Sequence, residues 1–369
     1  MRKSIFKIAL TAAALLMLGA GCSSASTGPD GGMFRSLDAG ATWTNLSRVL
    51  TSNGVASSFI LSDVNFAARD PQDIRAFWVG TMAQGIFYSF DGGAGWTQAV
   101  NYSPAEMQLT SSVVNGIFVD PKDSCTVYAT IIAPTTKSYL IRTTTCGRWW
   151  TSLYSFDEMT NSQLRAIAIN PNNSQQLFLG DTAGDIFRSN NAGTSWEKIY
   201  KLPNHLIRSF VIHPNGTIFA ATSQAGVLFS SDGGDTWNSA DLKKYPGASE
   251  VYTLVLDPTQ TNSLLIGTKY GILRSGDLGQ TWTPLELLTG PNETQIISIG
   301  LNPKNSNRIY YGTPKGFYRT DDGGKTWSTK RLPTARVAKI IMVDMQKDTT
   351  GAAVESLWIG AWNPPAATN

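Results

Sequence analysis

The sequence has little charge and almost no histidine. Only 15% of its 369 residues are charged, and His205 and His213 are its two histidines. A Ser–His–Asp triad or a histidine-rich metal site is therefore not expected, and neither is a cofactor. The formal net charge of +3 falls to zero (3 − 3) without Arg2, Lys3 and Lys7, which precede the first apolar run. A nearly neutral chain lacks the basic field of a nucleic-acid-binding protein.

Long hydrophobic runs are also missing, apart from Ile8–Ala20 near the N-terminus. That run is short for a membrane span, and its positive flank is typical of a signal peptide. The segment LGAGC, Leu18–Cys22, resembles a bacterial lipoprotein box. We expect residues 1–21 to be removed and Cys22 to be lipidated, with residues 22–31 as a flexible tether. The protein would then be exported and anchored by lipid to the bacterial cell membrane or outer membrane, facing outside the cytoplasm. An ordinary signal peptide with an incidental cysteine is the alternative.

One short pattern, [S/T]-x-D-x-G-x-T-W, occurs seven times, with some copies degenerate. Its tryptophans recur every 41 to 54 residues. A repeat of this length with strand-like content is typical of a β-propeller or a similar array. The copies, called boxes below, are Ser36–Trp43, Ser89–Trp96, Thr143–Trp150, Ser189–Trp196, Ser230–Trp237, Ser275–Trp282 and Thr320–Trp327.

Around each box the sequence reads as four antiparallel strands. An apolar strand ends in Asp-Pro, Asn-Pro or His-Pro, a second ends in Gly or Ala, a third enters the box, and an irregular fourth follows. The first box has only a third strand before it, Gly32–Ser36. The last box is followed by two strands, Val337–Asp344 and Glu355–Trp362, without a further box. These halves add up to one blade, and sharing a blade between the termini closes a propeller without open sheet edges.

The sequence thus predicts an all-β fold, a seven-bladed β-propeller with four antiparallel strands per blade. The N- and C-terminal strands share one blade and close the ring. The propeller would span residues 32–363 as a single domain, followed by a tail at 364–369. An open solenoid or a sandwich would not explain the complementary half-repeats at the two ends.

The pattern S-x-D-x-G-x-T-W of Ser230–Trp237 resembles the Asp-box (BNR) repeat of sialidases, xyloglucan-cleaving glycosidases and sortilin-type receptors. The repeat pattern and the single-propeller size most resemble the photosystem II assembly and stability factor-like group, which includes many lipoproteins. The resemblance implies a propeller with its boxes on the blade periphery, away from any active site. It is specific for the fold rather than for an activity.

The catalytic members of these families carry features that this sequence does not match. Sialidases have an arginine triad, a Tyr–Glu pair and an Arg-Ile-Pro segment before the first box, whereas Arg331–Pro333 follows the last box here. The xyloglucan-cleaving enzymes resemble two propellers in tandem, with a catalytic aspartate pair between them. We therefore expect no enzyme and assign no catalytic residue, although carboxylates outside the boxes could still converge as a pair.

The box residues are predicted to be structural. Each Asp or Asn would accept hydrogen bonds from turn amides, and each Trp would be an apolar plug behind the turn. Calcium binding is not expected, because no loop alternates enough oxygen ligands. These residues are Asp38, Asp91, Asn191, Asp232, Asp277, Asp322, Trp43, Trp96, Trp150, Trp196, Trp237, Trp282 and Trp327.

The third box departs from the pattern, because Thr145 replaces Asp and Cys146 lies in its turn. Cys125 precedes the second strand of the same blade, and in an antiparallel pair the start of that strand lies beside the end of the third. We expect a Cys125–Cys146 disulfide that replaces the missing Asp, which fits an exported protein. Two unpaired thiols are the alternative.

Two sets of equivalent residues are candidate binding positions. The first would surround the mouth of the central channel, and the second would form a basic ring towards the opposite face. Alternatively, the first set only solvates the ends of strands, and the second set packs against the box. The first set is Asn65, Asn115, Arg165, Arg208 and Tyr252; the second is Arg35, Arg142, Arg188, Arg274 and Arg319. The long connections 44–63 and 97–113 are expected to add apolar surface for a protein partner.

The sequence therefore favours a lipid-anchored, extracytoplasmic propeller that binds a protein partner or assembles an envelope complex. Membrane contact would be made through the N-terminal lipid alone. The alternative is a carbohydrate-binding or glycoside-hydrolysing propeller of the cell envelope, sialidase-like or xyloglucanase-like, with a glycan as its partner.

Overall fold

The computed structural model describes residues 30–50, 57–156, 162–347 and 350–364, and within these ranges the chain forms seven four-stranded antiparallel blades. Six blades are continuous in sequence. Their strands, from first to fourth, are as follows: blade 1, Val64–Arg69, Phe77–Thr81, Ile86–Ser89, Thr97–Gln98; blade 2, Val113–Asp120, Asp123–Ile132, Ser138–Thr143, Trp150–Phe156; blade 3, Leu164–Asn170, Asn173–Asp181, Asp185–Ser189, Glu197–Lys201; blade 4, Ile207–Ile212, Ile218–Thr222, Val227–Ser230, Asn238–Ser239; blade 5, Val251–Leu256, Leu264–Thr268, Ile272–Ser275, Thr283–Pro284; blade 6, Ser298–Asn302, Asn305–Thr313, Gly316–Thr320, Ser328–Lys330.

Blade 7 is shared between the two ends of the chain. Its strands are Val337–Lys347, Ala353–Trp362, Gly32–Ser36 and Thr44–Asn45. The N-terminal strand pairs antiparallel with the C-terminal one, with Phe34 opposite Ile359. The predicted closure of the propeller is therefore confirmed. The first strands of neighbouring blades contact one another around the whole ring, including those of blades 7 and 1.

The hydrophobic core lies between the blades. The second strand of a blade is packed on both faces, so strands such as Phe77–Thr81 and Leu264–Thr268 are buried at every residue. Large aromatic side chains fill the space between neighbouring blades. The Phe77 ring of blade 1, for example, lies 4.8 Å from the Trp358 ring of blade 7. The strongly apolar second strands of the sequence are explained by this two-sided burial.

The two long connections contribute both to the core and to the apolar surface. Phe59, Met107 and Leu109 are fully buried. The second connection forms two short 3₁₀ helices, Ala105–Met107 and Leu109–Ser111. Short strands also occur here: Arg48–Val49 pairs with Ser57–Ser58, and Tyr102–Ser103 adds to the edge of blade 2. Leu50, Leu61 and Val100 of the same connections are exposed, so the connections also add apolar surface, as expected.

The predicted signal segment and Cys22 lie outside the described residues. Among the residues that are described, no helix is long and apolar enough to cross a membrane. The same ranges contain no group of three or more His, Cys, Asp or Glu side chains placed to hold a metal ion.

Candidate functional site

The box aspartates lie in the turns between third and fourth strands, where they accept hydrogen bonds. Asp277 Oδ1 accepts from the Ser275 hydroxyl at 2.7 Å and the Thr281 amide at 2.9 Å, and its Oδ2 accepts from the Thr281 hydroxyl at 2.5 Å. These bonds, led by that of the Thr281 side chain, lower the pKa of Asp277 to about 2. The carboxylate is therefore committed to its own turn. The other box acids that accept in this way are Asp38, Asp91, Asp232 and Asp322.

Asn191 occupies the same position in blade 3, where its Oδ1 accepts from the Ser195 amide at 2.9 Å. The turns need unusual backbone angles as well: Gly234 has φ of 96°, which an L residue rarely adopts. The box tryptophans pack behind these turns. Trp96, Trp150 and Trp282 are buried, and Trp43, Trp196, Trp237 and Trp327 are half-buried.

Cys125 and Cys146 form a disulfide that links the third box to the second strand of blade 2. The structure also refines the expected reason for it. Thr145 retains part of the role of the missing Asp, since its hydroxyl oxygen accepts from the Trp149 amide at 2.9 Å. The disulfide adds a covalent link between the turn and the strand beside it. This box is therefore held by a hydroxyl and a disulfide in place of a carboxylate.

The second set of arginines connects neighbouring blades and does not form a free basic face. Arg188 of blade 3 donates to Gly233 O at 2.9 Å and to Asp235 at 2.6 Å, both in the box of blade 4. Arg142 and Arg319 likewise reach backbone oxygens in the next box, at 3.4 and 3.5 Å. The packing alternative therefore describes these three residues.

The remaining two members of this set differ from each other. Arg35 lies over the Trp358 ring at 5.4 Å. Arg274 is half-buried, and two of its guanidinium nitrogens have no hydrogen-bond partner among the described residues. Burial lowers the pKa of both arginines.

The first set lies at one end of the channel, because each member follows the first or second residue of an innermost strand. In five blades the register shifts by one residue at this position, which makes each member the extra residue of a β-bulge. The same irregularity occurs in blade 7, where it places Lys339 in the series. Lys339 was missed because blade 7 lacks the proline that aligns the other strands, although the spacing of VAKIIMVD matches theirs. We call the set formed by Asn65, Asn115, Arg165, Arg208, Tyr252 and Lys339 the mouth ring.

The amides of the mouth ring hold neighbouring blades together. Asn65 donates to Val114 O at 2.6 Å, and Asn115 donates to Leu164 O at 3.1 Å. The Lys339 ammonium donates to the Asn65 side-chain oxygen, and it also lies 4.4 Å from the Trp362 ring. These amides are therefore structural, and the ring differs from a set of merely solvated strand ends.

The cations of the mouth ring are short of negative partners. Burial lowers the pKa of Arg165 and Arg208, and Arg208 also acts on Arg165 as a like charge. Burial, followed by the charge of Arg165, lowers the pKa of Lys339 to about 7. Within the described ranges, no carboxylate forms a salt bridge with any of the three.

Asp63 acts electrostatically on Lys339, and Glu250 acts on Arg208, but both carboxylates are engaged elsewhere. Asp63 accepts from Arg336 at 2.6 Å. Glu250 accepts from the Tyr252 hydroxyl at 2.7 Å and lies 3.6 Å from the Lys269 ammonium. The Arg208 guanidinium instead lies over the Tyr252 ring at 5.1 Å, and its Nε has no partner in the described part of the chain. The mouth ring thus concentrates positive charge that the fold does not neutralise.

A cavity of about 420 Å³ lies inside the ring, against the innermost strands of blades 1 to 4. Phe66, Phe118 and Phe210 are among its lining residues, and its charged lining residues in the described ranges are Arg69, Arg165 and Arg208. Arg69 is paired with Asp344, a buried carboxylate of blade 7. The unpaired positive charge therefore belongs to the mouth-ring side of the cavity.

A second candidate surface consists of exposed apolar side chains around the box of blade 1. Of the ten large hydrophobic side chains that are exposed in the described ranges, nine lie in residues 37–154. We call five of them the apolar rim. They are Leu50, Ile74, Phe90, Val100 and Trp149.

Backbone contacts bring the apolar rim together. Leu50 N donates to Trp96 O at 2.6 Å, and Arg75 O, next to Ile74, accepts from Gly92 N at 3.0 Å. Trp150 N donates to Asn101 O at 3.0 Å, which places Val100 near Trp149. The rim therefore spans the boxes of blades 1 and 2.

The rings of Trp78 and Tyr88 lie beneath both halves of this rim. The Phe90 ring, 45% exposed, lies 5.5 Å from the Tyr88 ring and 6.0 Å from the Trp78 ring. The turn at Gly147, two residues before Trp149, packs against these same two rings. The exposed aromatic side chains of both boxes thus lie above one shared aromatic cluster.

The comparisons with known proteins agree with the fold. The family described as "Sortilin, neurotensin receptor 3" matches residues 184–272, and the BNR/Asp-box repeat matches residues 318–329. No curated protein matches the sequence. Among solved structures, the YCF48 protein bound to D1 peptide has a TM-score of 0.58 at 15% identity, over 84% of this chain and 94% of that one.

Two other solved structures come from larger proteins. A GH74 enzyme of Niastella koreensis has a TM-score of 0.60 at 19% identity, over 73% of this chain and 45% of that one. The extracellular domain of BT4673, a putative one component system of B. thetaiotaomicron, has a TM-score of 0.59 at 16% identity, over 82% and 37%. This chain therefore spans less than half the length of either protein. At these identities the likeness concerns the fold alone, which this chain shares with both an enzyme and a peptide-bound protein.

Proposed function

We propose that this propeller is a lipid-anchored, extracytoplasmic binding module that docks a protein partner through the apolar rim, without catalysis. The observation that carries the proposal is the concentration of exposed large hydrophobic side chains in residues 37–154. Exposed apolar surface of this kind marks protein-binding sites on soluble domains. The peptide-bound YCF48 structure supports a binding role for a propeller of this size.

The character of the channel supports a role other than glycoside hydrolysis. A glycosidase needs two carboxyl groups flanking the scissile bond. The cavity lining in the described ranges is apolar and cationic, without Asp or Glu. The carbohydrate-cleaving alternative is therefore not favoured. Specific turnover of any member of a chromogenic glycoside panel would refute the non-catalytic part of the proposal.

Photo-crosslinking in native envelopes tests the docking surface. A benzophenone amino acid in place of Phe90 should yield one discrete adduct. The same amino acid at Ser231 should not, because Ser231 is the equivalent exposed residue in the box of blade 4. The double variant Phe90→Ser, Trp149→Thr copies residues found in other boxes, so it should fold normally and yet fail to retain the partner. Equal crosslinking from Ser231, or retention by the double variant, would contradict the assignment.

The anchor is tested separately. Cys22→Ser removes the thiol that lipidation needs, and the protein should then move from the membrane fraction to the soluble extracytoplasmic fraction. A wild-type chain that is already soluble would show that the N-terminal segment is an ordinary signal peptide.

A further inference from the structure

The cavity inside the ring combines two features that the proposed docking surface does not use. One is an apolar wall, to which Phe66, Phe118 and Phe210 contribute. The other is the pair of mouth-ring arginines, Arg165 and Arg208, which line the same cavity. A cavity of about 420 Å³ lies within the range of roughly 300–1,000 Å³ that small-molecule sites occupy.

Within the described ranges, the site carries positive charge without a matching negative charge, which an anionic ligand would supply. Burying a cation without a partner costs free energy, and structural arginines are normally paired. Arg208 Nε is buried and without a hydrogen-bond partner in the described chain. Among the described residues, Arg165 reaches only a neutral oxygen, Asn115 Oδ1, at 3.4 Å. Lys339 adds a third positive group nearby, whose charge acts together with those of both arginines.

We infer that the channel binds a small organic anion, with an aromatic or alkyl body in the cavity and a carboxylate or phosphate head held by Arg165 and Arg208. Planar guanidinium groups suit both heads, because each presents two N–H donors to two oxygens. The phenylalanine side chains supply the apolar contact for the body. The mouth ring lies on the channel and the apolar rim lies at the blade periphery, so this site is independent of the proposed docking function.

Calorimetry with the purified propeller tests the site. The probe is 2-naphthoate, and the comparison ligands are 2-naphthamide, which lacks the charge, and inorganic phosphate, which lacks the apolar body. We expect saturable 1:1 binding of 2-naphthoate. Both comparison ligands should bind at least about 10-fold more weakly, because the amide cannot form charge-assisted hydrogen bonds with the arginines and phosphate has no apolar body to bury in the cavity.

Variants separate the head site from the body site. Arg165→Gln with Arg208→Gln should weaken 2-naphthoate binding about 10- to 100-fold. Arg142→Gln with Arg188→Gln, the same change in the blade-connecting set, should leave the affinity unchanged. Ser209→Trp fills the cavity from its lining and should weaken 2-naphthoate binding more than phosphate binding.

Several results would overturn the inference. If the acid and the amide bound with equal affinity, the cations would have no part in binding. If phosphate bound as tightly as 2-naphthoate, the cavity would have no part in it. No binding of 2-naphthoate at millimolar concentration, or equal loss in the two arginine double variants, would exclude the site. Binding of apolar peptide C-termini in the absence of 2-naphthoate binding would assign the channel to a protein ligand instead.

Discussion

The mouth of the channel and the box periphery contain the same residue types in opposite environments. Arg188 at the periphery donates to a carbonyl and two carboxylates, and its pKa is raised, chiefly by the hydrogen bond with Asp235. The pKa values of Arg165 and Arg208 at the mouth are lowered, chiefly by burial, and no carboxylate in the described ranges is in ion-pair contact with either. Since the fold satisfies its peripheral charges internally, an unsatisfied group at the mouth indicates a ligand.

Arg274 is the exception that shows why location matters. It is a peripheral residue by sequence position, and it also has unpartnered nitrogens within the described residues. However, it lies on the third strand of blade 5, between two other strands, and does not line the cavity. An unpaired cation therefore suggests a binding site only where a cavity and further cations accompany it.

The largest expected effect is at the periphery, where the disulfide supports the third box. Cys125→Ser with Cys146→Ser should lower the free energy of unfolding by about 2–4 kcal/mol, because the unfolded chain loses a constraint on a 21-residue separation. Thr145→Asp in that background should recover about 1 kcal/mol by restoring the carboxylate of the other boxes. Urea unfolding measures both changes, and 2-naphthoate affinity should not change. If the double serine variant unfolded at the same urea concentration as the wild-type protein, the disulfide would not stabilise the fold.

A regular box should show a smaller loss. Asp277→Ala removes three hydrogen bonds and should cost about 1–2 kcal/mol. Because folding lowers the pKa of Asp277 from 3.8 to about 2, its stabilisation is present above pH 4 and is lost as the pH falls towards 2. Urea midpoints across this pH range check the profile, with Asn191→Asp as the reverse change. If Asp277→Ala lost stability with falling pH in the same way as the wild-type protein, Asp277 would not be the group that stabilises the fold above pH 4.

A matched pair of arginine substitutions tests the comparison directly. Arg188→Met should destabilise the propeller by about 1 kcal/mol, since three oxygens lose their donor. Arg208→Met should leave stability unchanged or raise it by up to about 1 kcal/mol, because it removes a half-buried cation that has no salt bridge among the described residues. Urea unfolding of the ligand-free protein measures both. Equal destabilisation would mean that the two sets of arginines do not differ.

The smallest effect is the dependence of anion binding on pH. Lys339 has a pKa of about 7, set by burial and by Arg165 and Arg208, while Asp63 acts in the opposite direction. The affinity for 2-naphthoate should therefore fall a few-fold as the pH rises from 6 to 8.5. Lys339→Arg keeps the charge and should flatten the profile in calorimetric titrations. A profile that is the same in both proteins would exclude Lys339 from the site.

Much of the fold could be predicted from the sequence because it repeats. Seven boxes and two complementary half-repeats determined the number of blades and the blade shared between the termini, since each repeat must bury its apolar faces against a neighbour. The Cys125–Cys146 pair was predictable for the same reason, as the antiparallel register places both residues at one end of blade 2.

The tertiary structure decided which of the repeated residues are free to bind. In the sequence, Arg188 and Arg208 both occupy recurrent positions, and no neighbouring residue shows which of the two has a charged partner. Only the placement of the next blade supplies Gly233 and Asp235 to Arg188, and only ring closure brings Lys339 close enough to act on Arg165 and Arg208. Charge pairing and burial depend on residues that are distant in sequence, so a single repeat cannot specify them.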